Sequence, residues 1–539
     1  MTRPCVLTLL ALAVFLFSAV FVSYVWLGTD APWLHPELLG TAAYVWIAPQ
    51  TDTLPALLRK VFDWKAFDPN VNRVRPINDA AEVVDAIARP HLTVLLGPHL
   101  SLTPVALSTA IATPAFLLLY LRRYLRSWFP ALLLSALFIS SIGFLSVTIV
   151  YIRPAKKLAL LLFCACLYFG FRHAEASHRT GSYIIFLLLL YVSFFCDELA
   201  LAYFVVFGLM FWRNILLAPR WGKAVAFMAL PVAFFIVSKW VLPFVYLHMS
   251  VHGAWDALAD AKKFTVFGYL GDAPFHEAAS RQLARSVLST VGVQHHTVLT
   301  EGILLLTLFL GVIACLLLHS GPLTKRVSST GELLLVTAAL GLANHYAMLL
   351  DWYPFPHEIS YLGSFNYYYH SPMSALVVLW FAALWRVLSV SRLATLVMPR
   401  LRTMRMGVLA GVVAIIVLNL GMFERVNRLA QTIHTYPFAA GMLRSTLANM
   451  VPTQQVVTFV TTRDRLEGQF EKDLHAVFGE HWQQNGFVGM LGMVKGHPIL
   501  SRDHLHHLVR AYYPWREVVI TVRDLDQGDT TRPSFSQPK

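Results

Sequence analysis

The sequence predicts an all-α polytopic membrane protein with about eleven membrane-spanning helices, followed by a small α/β soluble domain. Three observations predict it. Hydrophobic residues make up 57% of the 539 and charged residues only 14%, with a mean hydropathy of +0.58. A soluble chain of this length needs more charge to cover its surface. Apolar runs of roughly 17–25 residues recur along the chain, long enough to cross hydrocarbon as helices. Most Lys and Arg residues cluster after alternate runs, the bias that marks cytoplasmic helix ends.

The net charge of +13 does not point to nucleic acid. The cations are dispersed at helix ends, where they anchor spans and meet anionic lipid headgroups. The five cysteines lie in or beside apolar runs. Cys164 and Cys166 are too close for a zinc knuckle, and no second pair accompanies them. The absence of an Asn-x-Ser/Thr acceptor favours a bacterial inner membrane.

The first span is predicted at residues 6–27, as a retained helix rather than a cleaved leader. A polar segment follows to about residue 101, with an amphipathic helix at 54–67 and the stretch "NRVRPINDAAEVVDAIARP". Further spans are expected at 102–121, 129–150 and 158–171, the last two joined by the short loop "YIRPAKK". Residues 183–212 form a long apolar stretch interrupted only by Asp197 and Glu198. It is read as a tight hairpin of two short helices with the acidic pair at its tip. Later spans are expected at 224–247, 298–319, 333–350, 371–388 and 406–423, with an amphipathic helix near 275–291. The domain division is therefore 1–423 for the membrane domain and 424–539 for the soluble one. The latter contains the strand-like runs "QVVTFVT" and "EVVITV".

With the N-terminus inside, the cytoplasmic ends carry Arg122, Arg123 and Arg126, then Arg172, then Arg213 and Lys223, then Arg386. This parity holds only if 183–212 is a hairpin. It places the loops at 28–101, 248–297 and 351–370 outside, with the C-terminal domain and the active face.

Several residues in these outer segments can carry chemistry. Asp30 lies just after the first span, where partial desolvation makes a carboxylate a usable base; an acidic residue there also serves as a plain span flank. Asp197 and Glu198 are costly among apolar residues, by roughly 2.5–3.5 kcal/mol for Asp on insertion scales. They require a wet cavity or cations, or simply form a polar loop tip. Arg153, Lys156 and Lys157 fall on the side where cations are depleted, which an anionic ligand such as a phosphate explains, with Arg73 and Arg75 of the first loop as partners. Lipid headgroups satisfy the same charges. The loop "DWYPFPHEISYLGSFNYYYHSP" offers aromatic faces on which sugars stack, and aromatics also populate the membrane interface. Its His357–Glu358 pair is placed to bind substrate or a divalent cation, the one candidate cofactor. No Walker, Gly-x-Ser-x-Gly or His-Glu-x-x-His motif occurs.

The layout of residues 1–423 resembles the GT-C superfamily of integral-membrane glycosyltransferases. Asp30 follows the first helix where that superfamily places a catalytic acidic residue. "NRVRPIND" resembles its late first-loop Arg-Pro segment. "VSFFCDELALAYF" is similar to the protein O-mannosyltransferase-like segment in which a Ser-Lys-Glu triplet interrupts an apolar hairpin. Only Glu198 matches that triplet, because Cys196 and Asp197 replace its first two residues. "FNYYYHSP" resembles a Tyr-rich segment near the late spans. The second outer loop lacks the paired acidic motif of many members, which fits phosphate binding by cations without metal.

The resemblance implies transfer of a sugar from a polyprenyl-phosphate carrier to a glycan, lipid or protein on the outer face of the membrane. Asp30, Asp197 and Glu198 are then the catalytic candidates. Arg73, Arg75, Arg153, Lys156, Lys157, His357 and Glu358 are the substrate and phosphate ligands. Membrane lipids and envelope-assembly proteins are the expected partners. The alternative is a transporter or flippase for a lipid-linked or anionic solute, which needs ionisable groups near the bilayer midplane.

Overall fold

Helix is the only regular structure in which an apolar run can satisfy its own backbone polar groups, and the described residues between 3 and 432 are built from it. The computed structural model describes residues 3–27, 77, 80–81, 84–85, 104–145, 147–148, 154–175, 180–197, 200–215, 221–241, 273–291, 323–352, 367–390, 401–432, 456–461 and 519–524. The helices are α1 (Arg3–Leu27), α2 (Pro104–Leu125), α3 (Trp128–Ser140), α4 (Ile142–Leu145), α5 (Pro154–Glu175), α6 (Thr180–Phe194) and α7 (Ala200–Met210). They continue with α8 (Trp212–Ile215), α9 (Trp221–Ile236), α10 (Ala273–Thr290), α11 (Leu323–Trp352), α12 (Tyr367–Val390) and α13 (Leu401–Thr432). Strands β1 (Val456–Thr461) and β2 (Val519–Asp524) pair in parallel, Val456 opposite Val519. They coincide with the two strand-like runs; an α/β domain around them lies outside the described residues.

Three of the described helices are long and apolar enough to cross a membrane: Cys5–Ser23, Pro104–Leu125 and Lys156–Glu175. The segments Trp128–Ser140, Thr180–Phe194, Ala200–Met210, Trp221–Ile236, Pro372–Arg386 and Met406–Gly421 are apolar but shorter. Hydroxyls within the bundle turn back onto their own helix. Ser18 donates to the Val14 carbonyl, Thr109 to Val105 and Ser193 to Leu190. Such bonds hide polar atoms without a partner from another helix. Bulky side chains on α1 and α9 face outward, among them Phe17, Val20, Val225 and Val232, as lipid-facing residues do.

The chain doubles back within 180–210, as the hairpin reading expects. On an unbroken helix Phe186 and Phe207 stand about 30 Å apart; their ring centroids are 5.6 Å apart. Helix α6 stops at Phe194, Asp197 sits in the turn, and the Ala200 amide donates to the Asp197 carbonyl at 3.0 Å to start α7. Helix α5 pairs in parallel with α2, since Arg123 meets Glu175 at 2.8 Å and Phe116 meets Tyr168 at 6.0 Å with the same offset in sequence. Helix α6 returns antiparallel along α5, with His173 against Tyr183 and the Cys166 thiol against the Phe186 carbonyl.

Three elements depart from the sequence expectation. The span at 129–150 breaks at Ser141, whose backbone is extended. Its hydroxyl donates to the Phe138 carbonyl and accepts from the Phe144 amide, so it ends α3 and caps α4. The span at 224–247 leaves α geometry after Ile236 and passes into a π turn at Val237–Val241. The "YIRPAKK" loop is in part helix: Pro154 opens α5, which suits a residue lacking an amide donor, and Lys156 and Lys157 belong to its first turn.

The two ends of the bundle differ chemically. At one end, α2, α5, α8, α11 and α12 are tied together by polar side chains. Arg123 pairs with Glu175, and Arg386 with Glu332 at 3.1 Å. The Tyr124 hydroxyl also donates to Glu332, and the Arg386 guanidinium lies 4.8 Å over the Tyr124 ring. Lys223 Nζ is 3.0 Å from His173 Nε2, joining α9 to α5. Arg126 ends α2 in the left-handed region, at φ 53°. The sequence parity places Arg122, Arg123, Arg126, Arg172, Arg213, Lys223 and Arg386 on one side, and the fold gathers them at this end. The candidate site lies at the other.

Candidate functional site

The N-terminal turn of α5 is an unfavourable place for cations, because the helix dipole is positive there. It holds Lys156 and Lys157 and no acidic residue. Both side chains are buried, at 2% and 3% exposure. The sequence placed these lysines on an outer surface; the structure puts them inside the bundle end. Compensation comes from the hairpin. Lys156 Nζ lies 2.5 Å from Asp197 Oδ2, and Asp197 is itself 1% exposed. Two buried opposite charges in contact offset each other's desolvation, which neither could bear alone.

The hairpin tip is shaped by its neighbours. The Asp197 amide donates to the Ser193 carbonyl at 3.3 Å, and the Cys196 thiol points to the Val192 carbonyl. Tyr203, one turn into α7, packs its ring 4.8 Å from that of Phe163 on α5 and lies within the field of the Asp197 carboxylate. Its hydroxyl is buried with no hydrogen-bond partner among the described residues.

A second carboxylate works at the same level. Asp85 is buried, and its Oδ1 accepts from the Val105 amide at 2.9 Å. It thus caps α2 from outside the helix, satisfying an otherwise orphaned amide and complementing the dipole. The parallel register that sets Arg123 against Glu175 brings the start of α2 level with Lys156. Asp85, the Val105 amide, Lys156, Lys157 and Asp197 therefore share one end of the bundle. The segment carrying Asp85 follows directly on Arg73 and Arg75.

Of the sequence-predicted site residues, the fold brings Lys156 and Asp197 into contact and places Lys157 beside them. Asp30, Arg73, Arg75, Arg153, Glu198, His357 and Glu358 lie outside the described residues. Asp85 and Tyr203 were missed. A cap supplied from twenty positions upstream has no local signature, and a tyrosine in an apolar helix reads as core. Among the described residues no group of three or more His, Cys, Asp or Glu is placed to hold a metal ion. Cys164, Cys166 and Cys196 are buried thiols outside any disulfide among the described residues.

No family model matches the chain, and no curated protein or solved structure is significantly similar to it.

Proposed function

We propose that this chain is an integral-membrane glycosyltransferase of GT-C-like layout that takes its sugar from a polyprenyl-phosphate carrier at the outer face of the membrane. The observation that carries the reading is the buried Lys156–Asp197 pair. It clamps the tip of the acidic hairpin to the turn that begins α5. By chain connectivity the clamp has Glu198 immediately after it and Arg153 just before it. The Asp85 cap adds support, since it anchors the segment behind Arg73 and Arg75 at the same end.

In the proposed reaction Asp30 accepts the proton of the acceptor hydroxyl. The hydroxyl oxygen bonds to the anomeric carbon as the bond from that carbon to the phosphate oxygen breaks. The phosphate leaves with the bonding electron pair. Arg153, with Arg73 and Arg75, neutralises it. Lys156 is engaged by Asp197, so its role is to position the hairpin and raise the local potential. Glu198 orients the acceptor. The active end faces outward, the Arg-rich end faces the cytoplasm, and residues 424–539 form an external domain that docks envelope-assembly partners.

The test is mass spectrometry of lipid extracted from purified protein, combined with transfer of labelled sugar from the lipid fraction in membranes. Wild type and Asp30→Asn should both retain a polyprenyl phosphate, and only wild type should transfer. Full transfer by Asp30→Asn removes the catalytic assignment. Movement of an anionic solute into sealed proteoliposomes without covalent product, and no bound polyprenyl carrier, establishes the transporter reading instead.

A further inference from the structure

Among the described residues, the Arg-rich end carries more positive charge than its carboxylates balance. Among the described residues its carboxylates are Glu175 and Glu332, and both are engaged, by Arg123 and by Arg386. Arg122, Arg126, Arg172 and Arg213 have no carboxylate partner among the described residues. Arg122 and Arg213 instead stack on tryptophan rings, with Arg122 Cζ 5.1 Å from the centre of Trp128 and Arg213 Cζ 5.5 Å from that of Trp212. The Nε atoms of Arg122 and Arg172 are buried with no acceptor among the described residues. The segments that leave helices at this end, 176–179, 216–220 and 391–400, contain no Asp or Glu and add further arginines.

Parallel pairing of α2 with α5 brings the ends carrying Arg122 and Arg172 side by side. Arginine forks match phosphate oxygens bidentately. A buried guanidinium N–H without an acceptor calls for one from outside the chain. Trp128 is half exposed beside Arg122, an amphipathic ring of the kind that sits at the headgroup level of a bilayer. Helix α2, which carries Arg122, exposes Leu107, Ile111 and Leu119 along its length. The occupant that supplies phosphate oxygens at this depth is a lipid of the surrounding bilayer.

We infer that the ends of α2 and α5 form a binding site for the phosphodiester headgroup of an anionic phospholipid, with Arg122 and Arg172 as its principal ligands and Arg126 and Arg213 at its rim. This site lies at the end of the bundle away from the Lys156–Asp197 pair and is independent of the proposed glycosyl transfer.

The test uses full-length protein in nanodiscs of phosphatidylglycerol and phosphatidylcholine in equal amounts, released into native mass spectrometry. Wild type should retain phosphatidylglycerol in preference to phosphatidylcholine. Arg122→Gln and Arg172→Gln should each lower that preference by about fivefold, and the double variant should abolish it. Arg281→Gln, on α10, should leave it unchanged. Melting in phosphatidylcholine alone verifies that each variant is folded, and Arg122→Lys, which keeps the charge but loses the fork, should fall between wild type and Arg122→Gln. Millimolar inorganic phosphate should not displace the lipid. Equal retention of both lipids by wild type, an undiminished preference in the folded double variant, or full displacement by free phosphate each overturns the assignment.

Discussion

Replacing Asp197 with asparagine takes away the carboxylate 2.5 Å from the Lys156 ammonium, in a place where the two side chains are 1% and 2% exposed. Two unit charges about 4 Å apart attract by about 4 kcal/mol at the effective dielectric that suits protein charge pairs. Breaking a buried pair from one side costs about 3–5 kcal/mol, because the remaining charge stays desolvated. Lys156 also lies in the first turn of α5, where the dipole opposes it. Asp197→Asn and Lys156→Met should therefore each destabilise the protein by about 3–5 kcal/mol. The double variant removes both charges and should lose less than the sum of the two single losses, with a coupling of about 2–3 kcal/mol. Denaturant-induced unfolding in detergent micelles, followed by tryptophan fluorescence, measures all four proteins. Additive losses in the double variant, or a single variant as stable as wild type, would refute the view that these charges hold the hairpin tip through each other.

Packing and backbone give three further predictions. A Cβ built at Gly170 comes 2.5 Å from Phe211 Cε2, whereas one at Gly208 meets Phe227 at 3.5 Å. Gly170→Ala should cost about 1–3 kcal/mol by overpacking, while Gly208→Ala stays within about 1 kcal/mol of wild type or gains from helix propensity; thermal melts compare the two. Tyr203→Phe removes a buried hydroxyl without a described partner and should change stability by less than about 1 kcal/mol. A loss of several kcal/mol by the same unfolding assay would show that the hydroxyl is engaged. Arg126→Gly relieves a left-handed residue and should raise stability by up to about 1 kcal/mol in neutral detergent, read as a higher melting temperature.

Hydropathy and charge bias carried the large-scale organisation. The acidic interruption at Asp197–Glu198 made residues 183–212 a hairpin, and the rings of Phe186 and Phe207 meet as a hairpin requires. The alternating Arg clusters marked one end of the bundle, and the Arg123–Glu175 and Arg386–Glu332 pairs join them there. Window-averaged hydropathy failed where one residue decides the backbone. The hydroxyl of Ser141 competes for local amides and carbonyls and breaks a run that is otherwise apolar. It failed again at Lys156 and Lys157, because an average treats charge as the end of a span while a helix continues wherever the charge finds a partner.

Composition and periodicity thus determined that the described bundle is helical and apolar, that it turns at Asp197, and which of its cations share an end. These follow from terms local in sequence: transfer of side chains from water, and the backbone's need to bond within its own segment. The chain alone did not reveal that Lys156 faces Asp197, that Asp85 caps α2 across the first loop, or that the two glutamates at the Arg-rich end are already engaged. Those depend on distances between segments far apart in sequence, and only tertiary packing sets them.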